Sequence, residues 1–144
     1  MMDREAIYNA LFAKVSAIPG LKTKSRTLQH WNDVTPTQQP ALFQAQGDQV
    51  AAPMPGGPTK WTFYVSLYLY CHSTNPKAPP ATQLNRLLDA IETALKADLT
   101  GYQNLGGLVF DCGIDGKVET DEGLLGSQSI AIIPIKILVV NDDE

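Results

Sequence analysis

Only a few residues of this 144-residue chain are of types that carry chemistry, and their spacing limits which chemistry is open to them. The soft ligands are His30, His72, Cys71 and Cys112. Cys71 and His72 are neighbours in a segment that alternates apolar and polar residues. On a strand they project to opposite faces and cannot close on one metal ion. Without a secretory signal, two cysteines read as reduced, buried thiols rather than a disulfide. Gly126-Ser127-Gln128-Ser129 lacks the second glycine of a nucleophile elbow. Gly113-Ile114-Asp115-Gly116-Lys117 lacks the spacing and the Ser or Thr of a phosphate loop. Asp111, Asp115, Glu119, Asp121 and Glu122 are of the right type for a general acid or base, but strung along a strand and turn they read first as a solvated acidic loop. No catalytic, metal-binding or cofactor-binding residue is assigned, and no cofactor is expected.

Those residues need elements to hold them. Asp3 is a good N-cap ahead of Ile7, Ala10, Leu11, Val15 and Ile18 at helical spacing, and Pro19-Gly20 stops that helix. Leu21 to Trp31 alternates weakly and suits a strand with an irregular end. Pro40 to Gln46 reads as a short second strand, left at Gly47-Asp48. Residues 47–60, broken by Pro53, Pro55, Gly56, Gly57 and Pro58, are expected to be a flexible loop. That loop is either a slack hairpin connection or an arm that orders against a partner, with Met54 as its contact residue.

From Trp61 the chain alternates strictly. Trp61, Phe63, Val65, Leu67, Leu69 and Cys71 fall on one face, and Thr62, Tyr64, Ser66, Tyr68, Tyr70 and His72 on the other. At ~3.3 Å per residue, Trp61 to Ser73 reaches roughly 43 Å, about twice an ordinary strand of ~17–20 Å. The first face is core. Tyr64, Tyr68 and Tyr70 on the second face suit contact with another subunit, because tyrosine buries area cheaply while tolerating water. A second packed layer of the same domain would serve them equally.

A second helix carries Leu84, Leu87, Leu88, Ile91, Leu95 and Leu99 as one stripe and is closed by Gly101, with Glu92 and Lys96 paired on its outer face. Leu105-Gly106-Gly107 turns the chain into a strand with Leu108, Phe110, Cys112 and Ile114 on one face. Gly113 to Lys117 resembles a hairpin turn, and Asp121-Glu122-Gly123 with Gly126 a second acidic loop. The last strand, Ser127 to Val140, is again over-long, and Ala131, Ile133, Ile135, Ile137 and Val139 form an apolar face. Pro134 cannot donate to a ladder, so the strand is expected at an edge or bulged there, with Ile133 and Ile135 available to a partner. Residues 141–144 read as a disordered tail. The elements add up to one α+β domain over residues 1–144: a mainly antiparallel sheet with two long strands, flanked by two α-helices.

Composition narrows the function classes. A chain of this length buries roughly 70% of its extended surface, enough for an unaided core. The shares of 44% hydrophobic and 18% charged residues are globular values. The formal net charge of −4, with no cluster of bases, argues against a sequence-specific nucleic-acid reader. The start lacks the basic and apolar regions of a secretory signal, so residence in the cytosol is expected. Ile130 to Val140, interrupted by Pro134 and Lys136, is too short to span a bilayer as a helix, and no membrane partner is expected.

The order of features resembles a known family. Ile18-Pro19-Gly20 closing an amphipathic start, His30-Trp31 before a proline-rich turn, and Gln39-Pro40-Ala41-Leu42-Phe43 come first. Leu84-Asn85-Arg86-Leu87-Leu88-Asp89-Ala90-Ile91-Glu92, Leu105-Gly106-Gly107 and Ile133-Pro134-Ile135 follow. Together they resemble the tail terminator, or tail completion, proteins of long-tailed bacteriophages, the minor tail protein U group, across nearly the whole chain. The resemblance implies a non-enzymatic virion protein, of a phage or a prophage, assembled in the bacterial host cytoplasm into a hexameric ring. That ring would cap the tail tube at its head-proximal end and meet the tail tube protein and the head-tail connector protein. DNA would pass through its lumen without sequence-specific binding. Other readings are a tail tube subunit, a head-completion protein, or a small-ligand-binding domain that uses the acidic turn.

Overall fold

The computed structural model describes residues 2–75 and 77–141. Helix α1 (Arg4–Ser16) begins where the Asp3 side chain accepts the Ala6 N–H at 3.1 Å, and it buries Ile7, Tyr8, Leu11 and Val15. The strands are β1 (Thr23–Ser25), β2 (Ala41–Ala52), β3 (Thr59–His72), β4 (Asp111–Ile114), β5 (Glu119–Leu125) and β6 (Gln128–Asn141). Helix α2 (Ala81–Ala94) lies between β3 and β4, and two short 3-10 turns, Trp31–Asp33 and Pro36–Gln38, lie between β1 and β2. The sheet order is β1-β2-β3-β6-β4, with β5 also on β6. Every pairing is antiparallel except β1 with β2. The fold is therefore α+β, a six-stranded, mostly antiparallel sheet carrying two helices.

The two long strands pair along their whole length, Thr59 opposite Asn141 through His72 opposite Gln128. Phe63, Val65, Leu67, Leu69 and Cys71 of β3 and Ala131, Ile133, Ile135, Ile137 and Val139 of β6 form one face under the helices. Each large side chain buried there is worth about 1.5–3 kcal/mol of transfer free energy, so this face dominates stability. Tyr8 of α1 stacks on Phe63 with ring centroids 5.7 Å apart.

Several elements depart from the sequence expectations, each for a physical reason. β6 is central, not an edge. In a strand the N–H and C=O of one residue point to the same side. The Pro134 carbonyl accepts the Asp115 N–H at 3.1 Å, so its nitrogen faces the gap between β4 and β5 and the β3 ladder loses nothing. Gly113 to Lys117 reverses nothing, since β4 and β5 run in line along the same edge of β6, interrupted opposite Pro134. The reversal comes later, at Gly126-Ser127 between Leu125 and Gln128, where Gly126 has φ 72°.

β2 continues through 47–52, which were expected as loop, because a register shift between Gln46 and Gln49 lets it re-pair with β3. The connection is left as residues 53–58. Conversely, Leu21 to Trp31 supplies only the three residues of β1. Helix α2 stops at Ala94, and Asp98 accepts the Thr100 N–H at 2.7 Å in a separate turn further on. Leu99 is thereby fully exposed, and Lys96 lies beyond the helix. Leu108 and Phe110 are exposed because the Asn104 carbonyl accepts three successive N–H groups, from Gly107 to Val109, and delays β4 to Asp111. Of the expected tail, Asn141 ends β6 and residues 142–144 lie outside the described residues.

Candidate functional site

The face of the sheet away from the helices is covered only at one end. There the segment after β1 folds back, and Val34 packs with Ala41, Phe43 and Tyr70, flanked by Trp31, Tyr68 and Ile130. Two side-chain amides lock this end. Gln39 Nε2 donates to Gln128 Oε1 at 2.9 Å and Gln128 Nε2 donates to Gln39 Oε1 at 2.8 Å, while Gln39 also donates to the Val34 carbonyl at 3.0 Å. The Tyr70 hydroxyl donates to the Gln29 carbonyl at 2.7 Å, and burial pushes its pKa up to about 12.

Beyond Tyr68 no segment among the described residues covers the sheet. The open part carries Thr62, Tyr64, Ser66 and Tyr68 from β3 and Ile132, Pro134, Lys136, Leu138 and Val140 from β6. Val50 of β2 joins it across from Thr62. Cross-strand pairs such as Tyr68 with Ile132 and Thr62 with Leu138 bring large apolar side chains to this face, with Lys136 beside Tyr64 at its centre and Lys60, Asp111 and Glu119 opposite Val140, Leu138 and Ile132.

The expected contact residues divide on this geometry. Tyr64 at 44% and Met54 at 48% relative accessibility are exposed, and Tyr68 is half-buried on the open face. Tyr70 at 3% is enclosed by the chain's own segment, and Ile133 at 0% and Ile135 at 1% lie in the core beneath the helices. These three have no surface left for a partner. The sheet period of two is the cause. β6 is apolar on both faces, and a shift of one residue exchanges Ile133 and Ile135 for Ile132 and Pro134. One signal in the sequence does mark the outward parity, the lone Lys136 in the apolar run, which shares its face with Ile132, Pro134, Leu138 and Val140.

The titratable groups are spread along the fold rather than gathered. Cys71 and Cys112 are both buried, and desolvation raises each thiol to about 12, so they behave as core residues. Asp121 keeps a buried Oδ1 without a hydrogen-bond partner, and the other four carboxylates between Asp111 and Glu122 serve local structure. Asp111 accepts the Gln103 N–H at 3.0 Å, Glu122 accepts the Ala81 N–H at 2.8 Å at the start of α2, and Asp115 and Glu119 sit 3.6 and 3.7 Å from Lys136 and Lys117. Ser127 is in the exposed turn, while the Ser129 hydroxyl is tied to the Pro80 carbonyl at 3.0 Å. Among the described residues, no three His, Cys, Asp or Glu side chains are grouped as metal ligands, and no helix is long and apolar enough to cross a membrane.

No protein-family model matches the chain, and no curated protein matches it. Among solved structures, one similar chain belongs to a structure described as "Virion of native gene transfer agent (GTA) particle". The two share a fold at a TM-score of 0.52 and 10% sequence identity, over 96% of this chain and 97% of that one. Nearly end to end, the chain shares its fold with a chain of a gene transfer agent virion particle.

Proposed function

We propose that the chain is a structural, non-enzymatic subunit of a phage-like virion and, more finely, a tail terminator. It forms a ring that caps the tail tube, ends tail growth and offers its other side to the head-tail connector, with DNA passing through the lumen. The observation that carries this reading is the open half of the sheet, where the two longest strands present large apolar side chains that no layer covers among the described residues. A solvated sheet face ordinarily carries polar residues, so a face bearing Tyr64, Tyr68, Ile132, Leu138 and Val140 is made for another protein. The fold shared with a chain of a virion particle supports the same class. The net charge of −4 suits a lumen that DNA must not adhere to.

The test is electron microscopy of the purified protein, alone and with tail tubes. Rings that cap tubes are expected, and Ile132→Asp should keep the fold by circular dichroism while losing the caps. A parent protein that never caps tubes removes the terminator role. Long tubes formed by the protein alone would assign it as a tube subunit, and capping by Ile132→Asp at parental levels would free the open face of this role.

A further inference from the structure

The two ends of the helical layer differ in shape and charge. At one end α1 lies against β1. Arg26 Nη1 donates to Asn9 Oδ1 at 2.7 Å and pairs with Glu5 at 3.0 Å, and Lys24 Nζ donates to the Ser16 carbonyl at 2.9 Å. Phe12 stands three residues after Asn9 and four before Ser16, hence on the same flank of α1, and it is only half-buried. The adjoining stretch 21–26 carries Lys22, Lys24 and Arg26 and no acid. This end carries the half-buried Phe12 beside Lys22 and Lys24, with Arg26 already paired to Glu5.

At the other end α2 leaves a cleft of about 880 Å3 against β4 and the turn before β5. Leu88, Leu95, Ile114 and Val118 form its apolar lining, and the exposed Asp89 and Glu92 outnumber Lys96 at its polar rim. An apolar seat with an acidic rim complements in sign the lysines beside Phe12.

Resting on the ring reading above, we propose that the cleft beside α2 receives Phe12 and the basic β1 flank of a second copy of this chain. The two surfaces lie at opposite ends of one sheet, so the contact is head to tail. Both surfaces of every copy are used when the ring closes by rotation. The open sheet face then remains available to a different virion protein.

Paired charge reversals test this by light scattering across a concentration series. One variant carries Lys22→Glu with Lys24→Glu, the other Asp89→Lys with Glu92→Lys. Each alone should need at least about tenfold more protein to assemble, since attraction at the rim becomes repulsion. An equimolar mixture should assemble like the parent, because each native surface and each reversed surface finds its complement. If a reversal costs the fold by circular dichroism, Phe12→Ala and the neutral pair Asp89→Asn with Glu92→Gln replace it, and both should weaken assembly. A variant that assembles at the parental concentration, or a mixture that stays apart, overturns this contact while leaving the ring reading standing. A parent that remains monomeric at every concentration overturns both.

Discussion

Replacing Ile132 or Ile133 by alanine removes the same atoms from adjacent residues of β6, yet the consequences should diverge. Ile133 has 0% relative accessibility and contacts the core beneath the helices, whereas Ile132 is half-exposed opposite Tyr68 on the open face. Truncation at a fully buried isoleucine costs about 2–5 kcal/mol through lost transfer energy and the cavity left behind. Taking ~3 kcal/mol for Ile133→Ala, the thermal midpoint should fall by roughly 10 °C in a domain of this size. Ile132→Ala forms no enclosed cavity and should cost about 1 kcal/mol or less. The assay is thermal unfolding followed by circular dichroism at protein concentrations where the parent is dispersed, with tube capping scored in parallel. Ile133→Ala should lose stability in the melt, and Ile132→Ala should lose capping with little change in the melt. Equal destabilisation by the two substitutions would refute the assignment of faces, since it would mean that Ile132 is enclosed as well.

Further outcomes follow from the same geometry. Cys71, Cys112 and Tyr70 have folded-state pKa values raised to about 12 by burial, so they stay protonated where the unfolded chain has ionised. Their contribution is complete below the unfolded values, about 8.5 for thiols and 10 for tyrosine, and is lost as pH rises toward 12. Urea midpoints should therefore decline above about pH 8.5, and a flat profile to pH 11 would contradict burial of these groups. Gln39→Ala leaves Gln128 Oε1 without the donor it has at 2.9 Å and should cost about 1–3 kcal/mol in denaturant titration. Gly47→Ala places a Cβ 2.8 Å from the Tyr64 carbonyl oxygen, a backbone atom that cannot swing aside, and should cost about 1–3 kcal/mol in the same measurement. Tyr70→Phe removes the 2.7 Å bond to the Gln29 carbonyl and should cost about 1 kcal/mol without affecting capping.

Much of the architecture was legible because local chemistry speaks directly to it. The Asp3 cap, the apolar stripe from Leu84 to Leu95, the strict alternation from Trp61 to Cys71 and the core placement of both cysteines follow from helix and strand periods alone. What misled was chemistry whose meaning depends on a distant partner. Pro134 signals an edge only if its missing N–H faces a neighbouring ladder, and here it faces the gap filled by residues 115–118. The apolar periodicity runs on to Leu99, whereas α2 ends at Ala94 and Leu99 falls in a turn held by the Asp98 side chain.

The sequence by itself determined that this is one α+β domain with two over-long strands, one of them bearing tyrosines on the face opposite its core residues. That much follows because alternation and helical spacing are properties of contiguous residues. Only the tertiary structure decided which tyrosines are free and which face of β6 is outward. The segment 26–40 covers Tyr70 but stops short of Tyr64, and the pairing of β6 with β3 points Ile133 and Ile135 inward while Ile132 and Leu138 stay out. Lys136 is the one local mark of the outward face of β6, and a single lysine in an otherwise apolar strand does not by itself orient the strand. Its orientation is set by which face the helices of the same chain cover and bury.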